Sequence, residues 1–184
     1  METITTERLI VRLFKKADAG DLYDYLSLPQ TYRFEPGEPV SRAKAKEIAR
    51  EFASGTNFWA VELADEHKVI GHVSLFPSGP DTARTWEIGY IFNPAYQRKG
   101  YATEASRAVI GYAFTELSAH RVVAHCSPLN VASWKVLEKC GLRREGLEKK
   151  NIFFHTDSAG NPEWFDSYGY AILAEEYFAG GGRS

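Results

Sequence analysis

The run Gln97-Arg98-Lys99-Gly100-Tyr101-Ala102 holds residues whose types and spacing suit the binding of an anion. It lies between a strand-like run, Trp86 to Phe92, and a strongly helix-like run, Thr103 to Leu117. At a helix start the backbone N–H groups lack intrahelical partners and a partial positive charge accumulates, so a phosphate there gains several hydrogen bonds at once. Gly100 lets the backbone approach closely, Arg98 and Lys99 add charge at the mouth, and Ala102 is too small to block a ligand lying across the turn. The same spacing also fits a plain strand-to-helix connection with a turning glycine and two solvated bases, because a lone glycine turn is a weak signal.

Several other chemistries have no motif in the chain. There is no GxxxxGK followed by Ser or Thr, no GxGxxG after a strand, and no GxSxG. His120 and His125 stand five apart on one expected strand and therefore point to opposite faces, so no metal site is expected. Cys126 and Cys140 have neither metal spacing nor a pairing pattern and read as reduced core thiols of a cytoplasmic protein.

The elements that must position the loop can be read outward from it. The chain has 184 residues, 44% hydrophobic and 25% charged, which is enough to bury a core as one domain. A net charge of -2 and a pI near 6.2 give no basic field of the kind nucleic-acid binding needs. The early charges Glu2, Glu7 and Arg8 are unlike a signal peptide, and no apolar run approaches the roughly 20 residues of a membrane span. Neither nucleic acid nor membrane is an expected partner.

Arg8 to Phe14 reads as a first strand, and Leu22, Tyr25 and Leu26 as a helix stopped by Pro29. Gln30 to Val40 reads as a loop. Ser41 caps an expected second helix ending near Ser54, before Gly55. Phe58 to Leu63 and Val69 to Phe76 form a hairpin. Ala105, Val109, Ala113 and Leu117 give the helix after the anion loop an apolar face, and His120 to Cys126 is the next strand. One crossover joins the strands on either side of that helix, so they should be parallel neighbours. Asn130 opens another short helix that stops at Cys140-Gly141, and Arg143 to His155 with Trp164 to Leu173 form a second strand pair. Residues 180–184 are expected to be a frayed tail.

With strand, QRKGYA loop, amphipathic helix, strand and an Asn130/Ser133 helix in this order, the sequence resembles the GNAT acetyltransferase family. Within that family, WEIGYIFNPAYQRKGYATEA, NVASWKVLEKCGL and WFDSYGYAI look like the RimJ/RimL-type subgroup, which includes ribosomal-protein N-terminal acetyltransferases. The resemblance covers nearly the whole chain and implies an α/β (α+β) GNAT fold over residues 1–179. That fold is a mixed, mostly antiparallel sheet with splayed central parallel strands and flanking helices. The wedge between those strands would take the pantetheine arm of acetyl-CoA, with CoA as product. Backbone groups at Ile91 and Phe92 would pair with the pantetheine amides, and Gln97, Arg98, Lys99, Gly100, Tyr101, Ala102 and Thr103 would hold the pyrophosphate. Asn130 and Ser133 would flank the cofactor near its sulfur, although a capping Asn needs no function.

The implied chemistry is direct attack of an amine on the acetyl thioester, which needs a base for the ammonium and a donor for the departing thiolate. Glu87 is the candidate base, on the strand that enters the loop and framed by Trp86 and Ile88, where a raised carboxylate pKa is expected. Ser133 is the candidate proton donor, with Tyr101 and Tyr168 as alternatives. The acceptor is an amine, either a protein N-terminus or a small molecule such as a polyamine or aminoglycoside. Glu35, Glu38, Glu145 and Asp166 are expected to give it an acidic approach, lined by Tyr32, Phe34 and Trp164. A monomer or homodimer is expected, and a non-catalytic acyl-CoA-binding module is the competing class.

Overall fold

The computed structural model describes residues 3–181. Alternating apolar residues build one eight-stranded sheet from β1 (Ile4–Thr5), β2 (Leu9–Leu13), β3 (Phe58–Leu63), β4 (Lys68–Ser78), β5 (Thr85–Phe92), β6 (Arg121–Cys126), β7 (Arg143–Thr156) and β8 (Pro162–Leu173). The spatial order is β1-β2-β3-β4-β5-β6-β8-β7. Only β5 and β6 run parallel, as a crossover through α3 (Tyr101–Thr115) requires, and all other neighbours are antiparallel. This is the mixed, mostly antiparallel sheet with flanking helices that the sequence implied.

The period of two in each strand divides the core into two layers. On one face, Leu22, Tyr25 and Leu26 of α1 (Ala19–Leu26) and Ala49 of α2 (Arg42–Ser54) pack on Phe14, Ala60, Val69 and Ile91. On the other, Ala105, Val109, Ile110, Ala113 and Phe114 of α3 and Leu137 of α4 (Val131–Lys139) pack on Trp59, Val61, Leu75, Ile88 and Phe92. Each of these larger side chains stabilises the fold by about 1.5–3 kcal/mol through burial. The helix starts are fixed locally. Ser41 Oγ accepts the Lys44 N–H at 3.2 Å, and Asn130 Oδ1 accepts the Ser133 N–H at 3.2 Å. Gly71 is required where β4 meets the end of β5, because a Cβ there would lie 2.6 Å from the Ile91 carbonyl oxygen.

Three differences from the sequence reading matter. β1 and α5 (Ala174–Ala179) are additional, being too short for a periodic signal. The long helix α3 begins at Tyr101 rather than Thr103, which makes Gly100 its N-cap at φ +88. Of the tail expected at residues 180–184, residues 182–184 lie outside the described residues. No helix among the described residues is long and apolar enough to cross a membrane.

Candidate functional site

The two parallel strands form a ladder over only three residue pairs, Thr85 with Arg121, Trp86 with Val122, and Glu87 with Val123. Beyond Glu87 each strand stays bonded to its outer neighbour, β5 to β4 as far as Phe92 and β6 to β8 as far as Cys126, but not to the other. The Asn93 N–H donates to the Ile70 carbonyl at 2.9 Å, which fixes the phase of the β4–β5 ladder. By the antiparallel alternation, Glu87, Gly89 and Ile91 turn their backbone groups toward β4, while Ile88, Tyr90 and Phe92 turn theirs toward β6, where the Ile88 N–H ends the ladder on Val123 and the groups beyond it face the opening. The expectation for Ile91 is corrected accordingly: its N–H and C=O belong to the ladder with His72, and Phe92 shares the open edge with Ile88 and Tyr90 instead.

The opening leads to the anion loop. Arg98 and Gly100 both have positive φ, +62 and +88, and the loop from Gln97 to Gly100 is exposed. The N–H groups of Tyr101, Ala102 and Thr103 form the free start of a 15-residue helix. The Gln97 side-chain amide turns back to donate to the Phe92 carbonyl at 3.2 Å, so Gln97 ties the loop to the strand. A contact unforeseen from sequence holds the loop from behind. Arg8 donates through Nη1 to the Lys99 carbonyl at 3.0 Å, grips Glu104 through Nε and Nη2 at 2.8 and 2.6 Å, and covers the Tyr101 ring at 4.6 Å. Glu104 Oε1 also accepts from the Arg8 N–H at 2.9 Å and from Thr6 Oγ1 at 2.6 Å. An extended ligand with amides along its length and an anionic end would find a strand edge first and a helix start next.

At the vertex, where the ladder stops, Glu87 Oε1 lies 3.0 Å from His125 Nδ1. Glu87 and Val123 are opposite one another, so His125, two residues further along β6, shares the Glu87 face. The expected raised pKa of Glu87 is corrected: the His125 hydrogen bond holds the carboxylate below its usual range, outweighing burial, and the same bond raises His125. With hydrogen on Nδ1, the His125 Nε2 carries the lone pair, 3.6 Å from Glu148 Oε1, whose charge joins Glu87 in favouring the protonated ring. It borders a groove of about 240 Å³ lined by Arg121, Val123, Glu145, Gly146 and Glu148. His125 was discounted in the sequence because parity along one strand says nothing of the neighbour across it.

The other wall belongs to α4. Tyr90 Oη donates to the Ser133 carbonyl at 2.8 Å and lies 3.1 Å from Ser133 Oγ, tying β5 to the helix that follows β6. Burial raises the Tyr90 phenol and pushes the Cys126 thiol up to about 11, the latter opposed by the Ser133 hydroxyl. Asn130 uses Oδ1 as the helix cap. Tyr101 and Tyr168 are both occupied as rings under guanidinium groups, of Arg8 at 4.6 Å and Arg144 at 3.8 Å.

Of the expected acidic approach, Glu145 is neutralised by Arg121 and Arg143, and Asp166 pairs with Lys149 at 2.8 Å. Trp164 stands exposed on the β7–β8 arm against Phe153. Glu38 is exposed, Tyr32 donates to the Leu26 carbonyl at 2.9 Å, and Phe34 lies under the Arg33 guanidinium. Glu35 alone of the four carboxylates stays half-buried without a hydrogen bond or ion pair among the described residues. No cluster among the described residues is suited to a metal ion.

A family model described as the Acetyltransferase (GNAT) domain matches residues 8–143. The uncharacterized N-acetyltransferase YnaD of Bacillus subtilis (strain 168) is 39% identical over 175 residues, which cover 95% of this chain and 98% of the relative. The [ribosomal protein uS5]-alanine N-acetyltransferase of Escherichia coli (strain K12) is 29% identical over 188 residues, 96% of this chain and 93% of that one. The crystal structure of a GNAT-family acetyltransferase from Bacillus anthracis superposes with a TM-score of 0.85 at 34% identity, over 95% of this chain and 99% of the other. With its sheet opened beside a glycine-started helix and its sequence matched along most of its length, this chain belongs to the GNAT family of acetyltransferases.

Proposed function

We propose that the protein transfers the acetyl group of acetyl-CoA to the α-amino group of a protein N-terminus, as RimJ/RimL-type enzymes do, by direct attack in a ternary complex, with residues 1–179 acting as one catalytic unit. The observation that carries this reading is the parting of β5 and β6 after Glu87, which leaves a strand edge leading to the start of α3. Acetyl-CoA fits what lines that opening: the amide arm matches the Ile88 C=O, the Tyr90 N–H and C=O and the Phe92 N–H, and the pyrophosphate matches the N–H groups from Arg98 to Thr103. The cofactor supplies an activated acetyl carbon and a thiolate leaving group.

The chain's own groups supply the proton movements. Glu87 and His125 act as a pair: the carboxylate fixes the imidazole through Nδ1, and Nε2 takes the proton that the ammonium must shed. Ser133 Oγ, hydrogen-bonded to Tyr90, is the group that returns a proton to the sulfur. Asn130 acts on the site by fixing the turn that presents Ser133. An imidazole base suits an α-amine of pKa about 7.7–8.0 better than a lysine near 10.4. The similarity to an enzyme named for acetylating an alanine of a ribosomal protein supports the same acceptor class.

Free-thiol release from acetyl-CoA across an amine panel tests the reading. The panel contains a peptide with N-terminal alanine, its N-blocked lysine counterpart, a polyamine, an aminoglycoside and free amino acids. The α-amine peptide is expected to be turned over with the highest kcat/KM. A higher value for the polyamine or aminoglycoside would replace the acceptor, and release with none of them would remove the transfer reading.

A further inference from the structure

The helices α1 and α2 cover only part of their sheet face. Among the described residues, the buried cluster beneath them reaches β5 at Ile91 and includes nothing from β6, β8 or β7. On the part left uncovered, the ladders align His125 of β6 with Gly169 of β8, and Gly169 with Gly146 of β7, in one row across three strands. β7 is the edge of the sheet, so the row runs from His125 outward to solvent. Two glycines opposite one another inside a strand pair weaken it, and here nothing structural asks for them. Neither has a positive φ, a Cβ on Gly146 would meet nothing within 4 Å, and one on Gly169 would make only ordinary contacts. What the pair provides is a bare floor. The groove of about 240 Å³ lies over it, between Glu148 on one side and the Arg121–Glu145 ion pair on the other.

The inner end of this groove brings two hydrogen-bond acceptors together. With hydrogen on Nδ1, 3.0 Å from Glu87, His125 presents the Nε2 lone pair, and Glu148 Oε1 lies 3.6 Å from it, longer than a direct hydrogen bond. Glu148 is held in place from its other oxygen, because Oε2 accepts from Asn151 Nδ2 at 2.7 Å. The space beside the two atoms opens over Gly169, whose Cβ would stand 3.8 Å from Oε1 and 3.9 Å from Nε2. A group with a positive charge and more than one N–H satisfies both atoms at once. We propose that the acceptor lies along this groove, its first residue over the Gly146–Gly169 floor and its ammonium between His125 Nε2 and Glu148. The assignment rests on the acetyl-transfer reading and deepens it. Nε2 takes the proton, Glu148 recognises the ammonium, and the glycine pair leaves room for the chain that follows it. Walls that carry both Arg121 and Glu145 suit the carbonyl and N–H of a peptide, whereas a polyamine is cationic again a few bonds further on.

The test is steady-state kinetics of wild type, Gly146→Val and Glu148→Gln with acetyl-CoA and an alanine-terminated peptide, together with thermal melts. A valine side chain fills the floor yet favours a strand. The melting temperature of Gly146→Val should therefore hold or rise while the peptide KM increases by roughly tenfold or more. Glu148→Gln removes a charge-assisted hydrogen bond and should raise the peptide KM by roughly tenfold. In both variants the acetyl-CoA KM should stay within about twofold. A purely structural role for these residues would instead lower the melting temperature and shift both KM values together, which overturns the assignment. An unchanged peptide KM in folded Gly146→Val, beside active wild type, overturns the path over the glycines, and an unchanged value in Glu148→Gln overturns the ammonium contact. Absence of turnover by wild type with every amine of the panel would overturn the transfer reading and this inference together.

Discussion

The β5–β6 seam consists of two unlike halves. From Thr85 to Glu87 the strands are laddered, with Trp86 packed against the core and Val122 buried within it. Past Ile88 the same strand is bonded on one side only, and the chemistry gathers there: Tyr90 with Ser133, Cys126 behind them, and the Glu87–His125 pair at the vertex. Leaving backbone N–H and C=O groups unpaired inside a protein is unfavourable, by about 1–3 kcal/mol per group when no water reaches them. An unladdered stretch in mid-sheet, flanked by intact ladders on both outer sides, is therefore best understood as a slot for a ligand that completes it. The closed half holds the vertex geometry, and the open half takes the substrate.

The sharpest way to break this division of labour is at the vertex. Glu87→Gln keeps the hydrogen-bonding shape but removes the charge that fixes and raises His125. We expect kcat to fall by roughly 10²–10⁴-fold, the range for losing general base function, with acetyl-CoA affinity nearly unchanged. The pH profile has a definite sign. The Glu87 hydrogen bond raises His125, so its removal should shift the acid limb of kcat/KM to lower pH. The charges facing this histidine are Glu87 from β5, Glu148 from β7 and Arg121 along β6. Near-wild-type turnover of Glu87→Gln at pH 7 would take the pair out of the mechanism.

Next in size is the far end of the open half. Gly100 has φ +88, where a non-glycine residue costs about 1–2 kcal/mol. A Cβ there would lie 3.3 Å from Arg8 Nη2, and a glutamate would add negative charge at the mouth of the anion loop. Gly100→Glu should weaken CoA binding by roughly 100-fold or more while the fold is retained, as read by calorimetry beside a thermal melt. Unchanged affinity in a folded variant would place the anion site elsewhere.

Local patterns revealed the loop, the four longer helices and three of the strand pairings, because each depends on residues close in sequence: a glycine before an apolar helix, a Ser or Asn cap, a crossover that forces parallel neighbours. What stayed hidden depends on register between distant segments. His125 meets Glu87 only because a three-pair ladder aligns Glu87 with Val123, and no property of either strand alone states that offset. Glu87 was expected in apolar surroundings with a raised pKa, and one unforeseen histidine reversed the direction. The Ile91 expectation failed by one residue of phase, which decides whether a strand's backbone groups face β4 or the opening. Arg8 and Glu104 are far apart in the chain, and neither carries a motif.

That last pair gives the next prediction. Arg8 and Glu104 touch the loop from behind, so they should set its position rather than take part in chemistry. Arg8→Ala removes a carbonyl contact at Lys99 and a two-pronged ion pair, and the acetyl-CoA KM should rise by about tenfold, the equivalent of one or two charge-assisted hydrogen bonds. The kcat should stay within about threefold. A fall in kcat at unchanged KM would show that the clamp reaches the vertex and that the two halves are less separate than the ladder suggests.

The smallest expected effect concerns Cys126, which lies beside Ser133 and tests whether the open half works through an acyl-enzyme. A covalent acetyl-cysteine route needs a thiolate, yet burial pushes Cys126 up to about 11 and Cys140 up to about 12, leaving both protonated at neutral pH. Cys140 is further committed to the Thr103 carbonyl, toward which its thiol points at 3.6 Å. Cys126→Ser places a hydroxyl in a largely apolar wall, so the melting temperature should fall by a few degrees, corresponding to about 1 kcal/mol of burial cost. The change leaves Tyr90, Ser133 and the Glu87–His125 pair in place, and kcat should change by less than about threefold. Loss of turnover in a folded Cys126→Ser, or a burst of thiol release from wild type without acceptor, would instead assign the first step to the thiol and make Cys126 the nucleophile.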